Sequence, residues 1–194
     1  MSAAPLIVGL GGTTRIGSTT ERALRIALSR AEAMGARTRI FTSTDMYLPH
    51  FDPTATERLP AEIALIEALR EADGVIIATP SYHGSLSGMV KNALDYTEHL
   101  RGDVRPYLES RAVGCIVCAE GPQAMGATLA ALRAIVHALR GWPTPYGAVI
   151  NTAGPAFDSG PAGPDPAVLQ QLDLMASQVI GFARMQRALS AQTG

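Results

Sequence analysis

The chain has 194 residues, enough for one substantial hydrophobic core and too few for two domains of typical size. We therefore expect a single domain over residues 1–194. Its residues are 47% hydrophobic and 17% charged, which is typical of a compact globular protein and argues against a disordered chain. The formal net charge of −1 provides no strong field toward nucleic acid or an anionic membrane, so we expect neither as a partner.

The first residues, Met-Ser-Ala-Ala-Pro, carry no positively charged segment and lead directly into a short apolar run, unlike a secretory signal. No apolar run approaches the roughly 18 residues that a membrane-spanning helix needs. We therefore expect a cytoplasmic protein.

Short apolar, β-branched runs alternate along the chain with longer segments of helical periodicity. The predicted strands are residues 6–10, 38–41, 74–79, 112–117 and 147–150, and the predicted helices lie within residues 21–34, 60–71, 87–99, 124–139 and 166–189. This alternation predicts an α/β fold in which a five-stranded parallel sheet carries helices on both faces. Ligands of such sheets bind at the carboxyl ends of strands, so we expect the functional residues after Leu10, Thr79 and Cys118.

Two stretches interrupt the alternation. Residues 45–59 contain two prolines, and residues 151–165 contain three glycines and three prolines, so both are predicted to be surface loops that border a pocket or an oligomer interface. Cys115 and Cys118 have the spacing of a redox pair. However, they lie in a predicted strand, where residues three apart face opposite sides, and this favours two small buried apolar side chains.

The loop after the first strand, Gly12-Thr-Thr-Arg-Ile-Gly-Ser-Thr-Thr20, has the composition of a phosphate site. It precedes a helix, whose first N–H groups and positive dipole end bind anions. Hydroxyl donors are supplied by Thr13, Thr14, Ser18, Thr19 and Thr20, and a positive charge by Arg15. The alternative, in which Ser18 or Thr19 only caps the helix and Arg15 is solvated, stays open.

Two other phosphate motifs fit this loop less well. A Walker loop requires a lysine, and none lies near this turn. The dinucleotide fingerprint Gly-x-Gly-x-x-Gly matches at Gly9 and Gly11 but has Thr14 in its third place, and no acidic residue ends the second strand at Phe41. A dinucleotide-binding domain is therefore the weaker interpretation.

The loop after the third strand carries a more specific pattern. It reads Pro80-x-Tyr82-x-Gly84-Ser85-x-x-Gly88-x-x-Lys91-Asn92-Ala-Leu-Asp95. Together with Gly12-x-x-Arg15-x-x-Ser18, this pattern resembles the NADPH-dependent FMN reductase family, whose fold is flavodoxin-like. The resemblance implies one FMN-binding domain, a three-layer sandwich with strand order 2-1-3-4-5, and hydride transfer from NADPH or NADH.

The resemblance also implies which residues hold FMN. The first loop would bind the phosphate, and the second would lie along the isoalloxazine ring, where Tyr82 offers a ring and a hydroxyl. The implied cofactor-binding residues are Thr13, Arg15, Ser18, Thr19, Thr20, Pro80, Ser81, Tyr82, His83, Gly84, Ser85, Glu120 and Gly121. No metal is implied, and catalytic side chains stay unknown because the flavin performs the hydride transfer.

Some positions depart from the family pattern or carry no clear role. His83 stands where asparagine is common, and Tyr82 and His83 could equally be ordinary loop residues. Glu120 precedes Gly121 where small residues are usual, and we treat it as a candidate substrate-side residue. Lys91, the only lysine, is one helical turn from Asp95, which favours an ion pair with a structural or interface role.

Three functions are compatible with these motifs. The first is an NAD(P)H-dependent flavin oxidoreductase that reduces free flavin, a quinone or a similar small molecule. The others are an FMN-dependent dehydrogenase of a small metabolite and a flavodoxin-type electron carrier, although such carriers are usually strongly acidic. The resemblance also implies a homodimer or homotetramer, and a flavin-dependent monooxygenase as a recipient of reduced FMN.

Overall fold

The structure is a computed structural model that describes residues 4–154, 156–157 and 164–193. It contains seven strands: β1 (Leu6–Gly11), β2 (Arg37–Thr42), β3 (Gly74–Tyr82), β4 (Ser85–Leu86), β5 (Ala112–Ala119), β6 (Trp142–Pro143) and β7 (Ala148–Asn151). The described residues also form five α-helices, of which the last follows β7: α1 (Thr19–Ala33), α2 (Pro60–Glu71), α3 (Gly88–Asp95), α4 (Pro122–Ala138) and α5 (Pro166–Thr193). Short 3₁₀ helices occupy Ser43–Met46 and Tyr96–Leu100.

The strands form a parallel sheet in the order β2-β1-β3-β5, with β6 and β7 both pairing parallel with β5 at its far side. This confirms the predicted α/β fold, and β7 is the predicted fifth strand. Two short strands were not predicted. β6 pairs with the start of β5, and β4 folds back antiparallel onto the end of β3, forming a hairpin.

Two hydrophobic layers cover the sheet. Residues of α2, α3 and α4, such as Leu65, Val90 and Leu132, pack on one face. Residues of α1 and α5, such as Leu24 and Met175, pack on the other. The three-layer arrangement follows from the doubly apolar strands, which must be covered on both sides.

The two cysteines lie in different layers, as their spacing in the strand predicts. Cys115 faces the layer of α2, α3 and α4, and Cys118 faces the layer of α1 and α5. Both are free thiols, and burial raises the pKa of each to about 12. These two side chains therefore act as small apolar residues.

The predicted helix over residues 87–99 is two segments in the structure. The α-helix ends at Asp95, and a 3₁₀ turn follows. Thr97 donates its hydroxyl to the carbonyl of Leu94 at 2.6 Å, so that it competes with the helical backbone bonds. The predicted Lys91–Asp95 ion pair is present, with Nζ 2.6 Å from Oδ1.

The residues next to Lys91 anchor part of the loop at 45–59. Asn92 Oδ1 accepts from the N–H of Phe51 at 2.8 Å, and its Nδ2 donates to the carbonyl of Pro49 at 2.7 Å. The Tyr96 hydroxyl donates to the same carbonyl at 3.0 Å. This stretch of the loop is therefore fixed to the helix that follows β3.

The part of the chain that the structure describes includes no helix that is both long and apolar enough to cross a membrane.

Candidate active site

A cavity of about 480 Å³ opens at the carboxyl edge of the sheet, within the range of roughly 300–1,000 Å³ that small-molecule sites occupy. It lies between the loop that follows β1 and the end of β3, as the rule for doubly wound sheets predicts. The residues that line it are Thr13, Arg15, Ser18, Thr19, Thr20, Pro80, Ser81, Tyr82, Cys118, Ala119, Glu120, Ala124 and Thr152.

The loop at residues 12–18, which we call the phosphate loop, leaves β1 against the backbone of β3. A Cβ atom at Gly11 would lie 2.1 Å from the carbonyl oxygen of Ala78, so only glycine fits this close approach. The N–H of Gly12, whose φ is +98°, donates to the same carbonyl at 3.1 Å. The loop is therefore fixed at its first residues.

The other end of the phosphate loop is the N-terminus of α1. Ser18 caps the helix, and its hydroxyl accepts from the N–H of Glu21 at 3.3 Å. The residues that follow, Thr19 and Thr20, line the cavity. The helix start, with N–H groups that have no partner within the helix, therefore faces the cavity. Ser18 is thus a cap and also a lining residue.

Thr13 and Arg15 form the outer part of the phosphate loop. The Thr13 hydroxyl accepts from the N–H of Arg15 at 3.1 Å, which closes a local turn. The Arg15 side chain is exposed and lines the cavity. Its guanidinium is the cationic group among the described residues that line this cavity.

Glu21 is a site residue that the sequence interpretation missed. Its carboxylate is buried and accepts hydrogen bonds from the Gly17 N–H, the Ser43 hydroxyl and the Arg25 guanidinium. Burial favours the protonated form, but these three bonds outweigh it, so the pKa of Glu21 lies below the ordinary value. The spacing Ser18-x-x-Glu21 is a capping-box signature that could have identified it.

The opposite wall of the cavity is the end of β3. Pro80, Ser81 and Tyr82 line it, and the Ser81 hydroxyl lies 2.7 Å from that of Thr128 on α4. The Tyr82 side chain is 54% exposed, which leaves its ring available at the rim. The hairpin of β3 and β4 therefore presents an aromatic face beside the cavity.

A second cavity of about 600 Å³ lies beside the first. The two share Glu120 and Ala124. The second cavity is lined by His83, Gly84, Glu120, Gly121, Pro122, Gln123, Ala124 and Ala127. His83 has a left-handed backbone with φ of +54°, a conformation that asparagine and glycine adopt more readily.

The thirteen predicted site residues thus divide into groups. Nine line the first cavity: Thr13, Arg15, Ser18, Thr19, Thr20, Pro80, Ser81, Tyr82 and Glu120. His83, Gly84 and Gly121 line the second. Ser85 lies in β4, paired with Tyr82, and is not among the described residues that line either cavity.

Four further residues line the first cavity and are not among the predicted site residues: Cys118, Ala119, Ala124 and Thr152. Thr152 directly follows β7 and lies in the loop at 151–165, which the sequence predicts to border a pocket or an oligomer interface. Part of the predicted loop at 151–165 lies outside the described residues.

Comparison with known proteins decides the family. Residues 5–155 match the NADPH-dependent FMN reductase family. The chain belongs to this family. The resemblance carried by the two loop motifs is therefore confirmed, and the match supports FMN as the cofactor and NAD(P)H as the electron donor.

Characterised relatives include a quinone reductase of Escherichia coli, 36% identical over 95 residues. That match covers 48% of this chain and 50% of the relative, so the chain spans about half the length of the quinone reductases that it matches. An FMN-dependent NADPH-azoreductase of Staphylococcus aureus is 32% identical over 139 residues, covering 69% of this chain and 70% of the relative.

Solved structures share the fold. RosB with bound 8-demethyl-8-formylriboflavin-5'-phosphate aligns with a TM-score of 0.74 and 18% identity, covering 95% of this chain and 81% of that one. The apo form of an NADH:FMN oxidoreductase, EMOB, aligns with a TM-score of 0.71 and 20% identity, covering 94% and 90%. These likenesses confirm the flavodoxin-like architecture that the sequence predicts.

The residues present fit FMN. A phosphate monoester needs N–H donors, hydroxyl donors and a positive charge at one place. The start of α1 supplies N–H groups and the Thr19 and Thr20 hydroxyls at the cavity, and the phosphate loop supplies the Arg15 guanidinium. Pro80 and Tyr82 of β3 and Ala124 of α4 also line the cavity, and these residues would hold the isoalloxazine ring.

Proposed function

We propose that this protein is an NAD(P)H-dependent flavin oxidoreductase that holds FMN in the first cavity and reduces a small planar acceptor, such as a quinone, in the second. When bound, FMN accepts a hydride from the nicotinamide and passes the electrons to a second substrate. The observation that carries this proposal is the pairing of a phosphate-type loop with an adjoining second cavity at the same edge of the sheet.

The phosphate loop binds and orients the cofactor in this proposal. The helix start at Thr19 and Thr20 and the guanidinium of Arg15 neutralise the phosphate charge, while the Ser18 and Thr13 hydroxyls are already engaged in local bonds that fix the loop. The hairpin residues Pro80, Ser81 and Tyr82 set the position of the ring.

The second cavity suits an uncharged planar acceptor. Pro122, Ala124 and Ala127 give it an apolar surface, while His83 and Gln123 offer hydrogen-bond donors for carbonyl oxygens. Glu120 is exposed at the boundary between the cavities, where its negative charge disfavours anionic acceptors. The relatives named as quinone reductase and azoreductase support this acceptor class.

The test of this function is anaerobic stopped-flow spectroscopy of the FMN-loaded protein. Mixing with NADPH or NADH should bleach the oxidised flavin absorbance much faster than it bleaches free FMN at equal concentration, and addition of a quinone should restore it. Bleaching at the rate of free FMN would contradict the reductase function. Bleaching without recovery on quinone addition would contradict only the proposal that a quinone is the acceptor.

We also propose that the protein is a homodimer or homotetramer. The anchored stretch at residues 47–51 supports this, because it holds exposed side chains such as Tyr47 in a fixed position beside α3. Light scattering after size-exclusion chromatography measures the molar mass, and the mass of one chain at micromolar concentration would contradict this proposal.

A further inference from the structure

Glu21 lies behind the phosphate loop rather than in the cavity. It occupies the first turn of α1, is 3% exposed, and is not among the described residues that line the cavity. A carboxylate so close to an anion site opposes the anion by its charge, so its presence there needs a physical reason.

The Glu21 carboxylate joins three separate parts of the chain. Oε2 accepts from the N–H of Gly17 at 2.9 Å and from the Ser43 hydroxyl at 3.0 Å. Oε1 lies 2.9 Å from Nε and 2.7 Å from Nη2 of Arg25. The phosphate loop, the turn after β2 and the next turn of α1 are thereby connected through one buried group.

The backbone of Glu21 completes this arrangement. Its N–H donates to the hydroxyl of Ser18, while its carboxylate accepts from the N–H of Gly17, the residue before Ser18. Gly17 has φ of +71°, and a Cβ atom there would meet no atom within 4 Å. Among the described contacts, the bond to the Glu21 carboxylate is the one that fixes the N–H of Gly17.

We propose that Glu21 is a positioning residue for the phosphate of FMN. By fixing Gly17 and Ser18 before the cofactor arrives, it removes the entropic cost of ordering the phosphate loop on binding. Arg25 offsets the charge of Glu21, so that the preorganised loop retains its preference for an anion. This inference rests on the proposed function, because it takes FMN as the ligand of the cavity.

A purely electrostatic role of Glu21 predicts a different change in FMN affinity from a positioning role. If Glu21 acted only as a negative charge near the phosphate, then Glu21→Ala and Glu21→Gln would both strengthen FMN binding. A positioning role predicts that Glu21→Ala weakens it. Glu21→Gln retains one oxygen that accepts from the Gly17 N–H but loses the acceptor for Arg25, so it preserves part of the affinity. The two roles therefore predict changes of opposite sign in the FMN affinity of Glu21→Ala.

The experiment measures dissociation constants of FMN and of riboflavin, which lacks the phosphate, by quenching of flavin fluorescence. Glu21→Ala should bind FMN about 5- to 30-fold more weakly with little change for riboflavin, and Glu21→Gln should recover part of that loss. Glu62→Ala is the matched control. Glu62 is also buried in a first helical turn, where it accepts from the Leu59 N–H, but it is not among the described lining residues.

Ser43→Ala keeps the test decisive if Glu21→Ala fails to fold. It removes one of the contacts that fix the carboxylate and should weaken FMN binding about 2- to 5-fold, again without effect on riboflavin. Equal losses for FMN and riboflavin in either variant, or stronger FMN binding, would overturn the positioning role. A wild-type protein that does not prefer FMN over riboflavin would overturn the cofactor assignment together with this inference.

Discussion

Replacing Thr79 with valine removes one hydroxyl group from a fully buried position in β3. The Thr79 hydroxyl donates to the carbonyl of Pro80 at 2.8 Å and accepts from the N–H of Ser87 at 2.9 Å. The bond with Ser87 joins the two ends of the segment that contains the β3–β4 hairpin. The same segment carries Tyr82 and His83 to the rims of the two cavities.

The size of the expected loss in stability follows from the buried polar group that valine leaves without a hydrogen-bond partner. Valine fills nearly the same volume, so no cavity forms, but the Ser87 N–H stays buried without its acceptor. Such an unpaired group costs about 1–3 kcal/mol, so we expect Thr79→Val to lower the free energy of unfolding by about 2 kcal/mol. For a chain of this size, that corresponds to a decrease in Tm of roughly 4–8 °C.

Urea denaturation followed by circular dichroism measures this change. Thr79→Ser is the control, because it keeps the hydroxyl and loses only one buried methyl group, which costs about 1 kcal/mol or less. A free energy of unfolding for Thr79→Val within about 0.5 kcal/mol of the wild type would refute the reasoning. So would a larger loss in Thr79→Ser than in Thr79→Val.

Two further predictions concern charge. Arg15→Ala should weaken FMN binding by about 1.5–3 kcal/mol and leave riboflavin binding unchanged. The loss of FMN affinity should be smaller at high salt. Unchanged FMN affinity in a titration would show that Arg15 does not belong to the site. His99 has its pKa lowered by burial and by the neighbouring Arg58, so the unfolded chain binds more protons than the folded one. The free energy of unfolding should therefore decrease as pH falls below about 6.5, and this slope should be smaller in His99→Gln. The same slope in both proteins would contradict that prediction.

The sequence predicts the features that depend on local pattern. The strands and the edge that carries the site follow from alternation of apolar runs, and the opposite orientations of Cys115 and Cys118 follow from the strand period. The Lys91–Asp95 pair follows from helical spacing. In each case the interacting groups lie within a few residues or on predicted neighbouring strands.

The features that sequence reasoning missed depend on contacts between distant residues or on competing local bonds. The partner of Glu21 at Ser43 is 22 positions away and becomes a neighbour only after β2 pairs with β1. The bond between Thr79 and Ser87 spans the β4 hairpin, and the Thr97 hydroxyl binds the Leu94 carbonyl where α3 ends. The periodicity of apolar residues in the sequence does not predict these hydrogen bonds.

The separation of the two thiols by the sheet gives the protein a pair of built-in chemical probes. Cys115 becomes reachable by an alkylating reagent only when the layer of α2, α3 and α4 opens, whereas Cys118 can be approached from the cavity that it lines. The alkylation rate of Cys115, measured by mass spectrometry, therefore reports opening of that layer during native fluctuations, and the rate of Cys118 reports access to the cavity. Because Cys118 also lines the cavity, occupancy by cofactor should slow its alkylation more than that of Cys115.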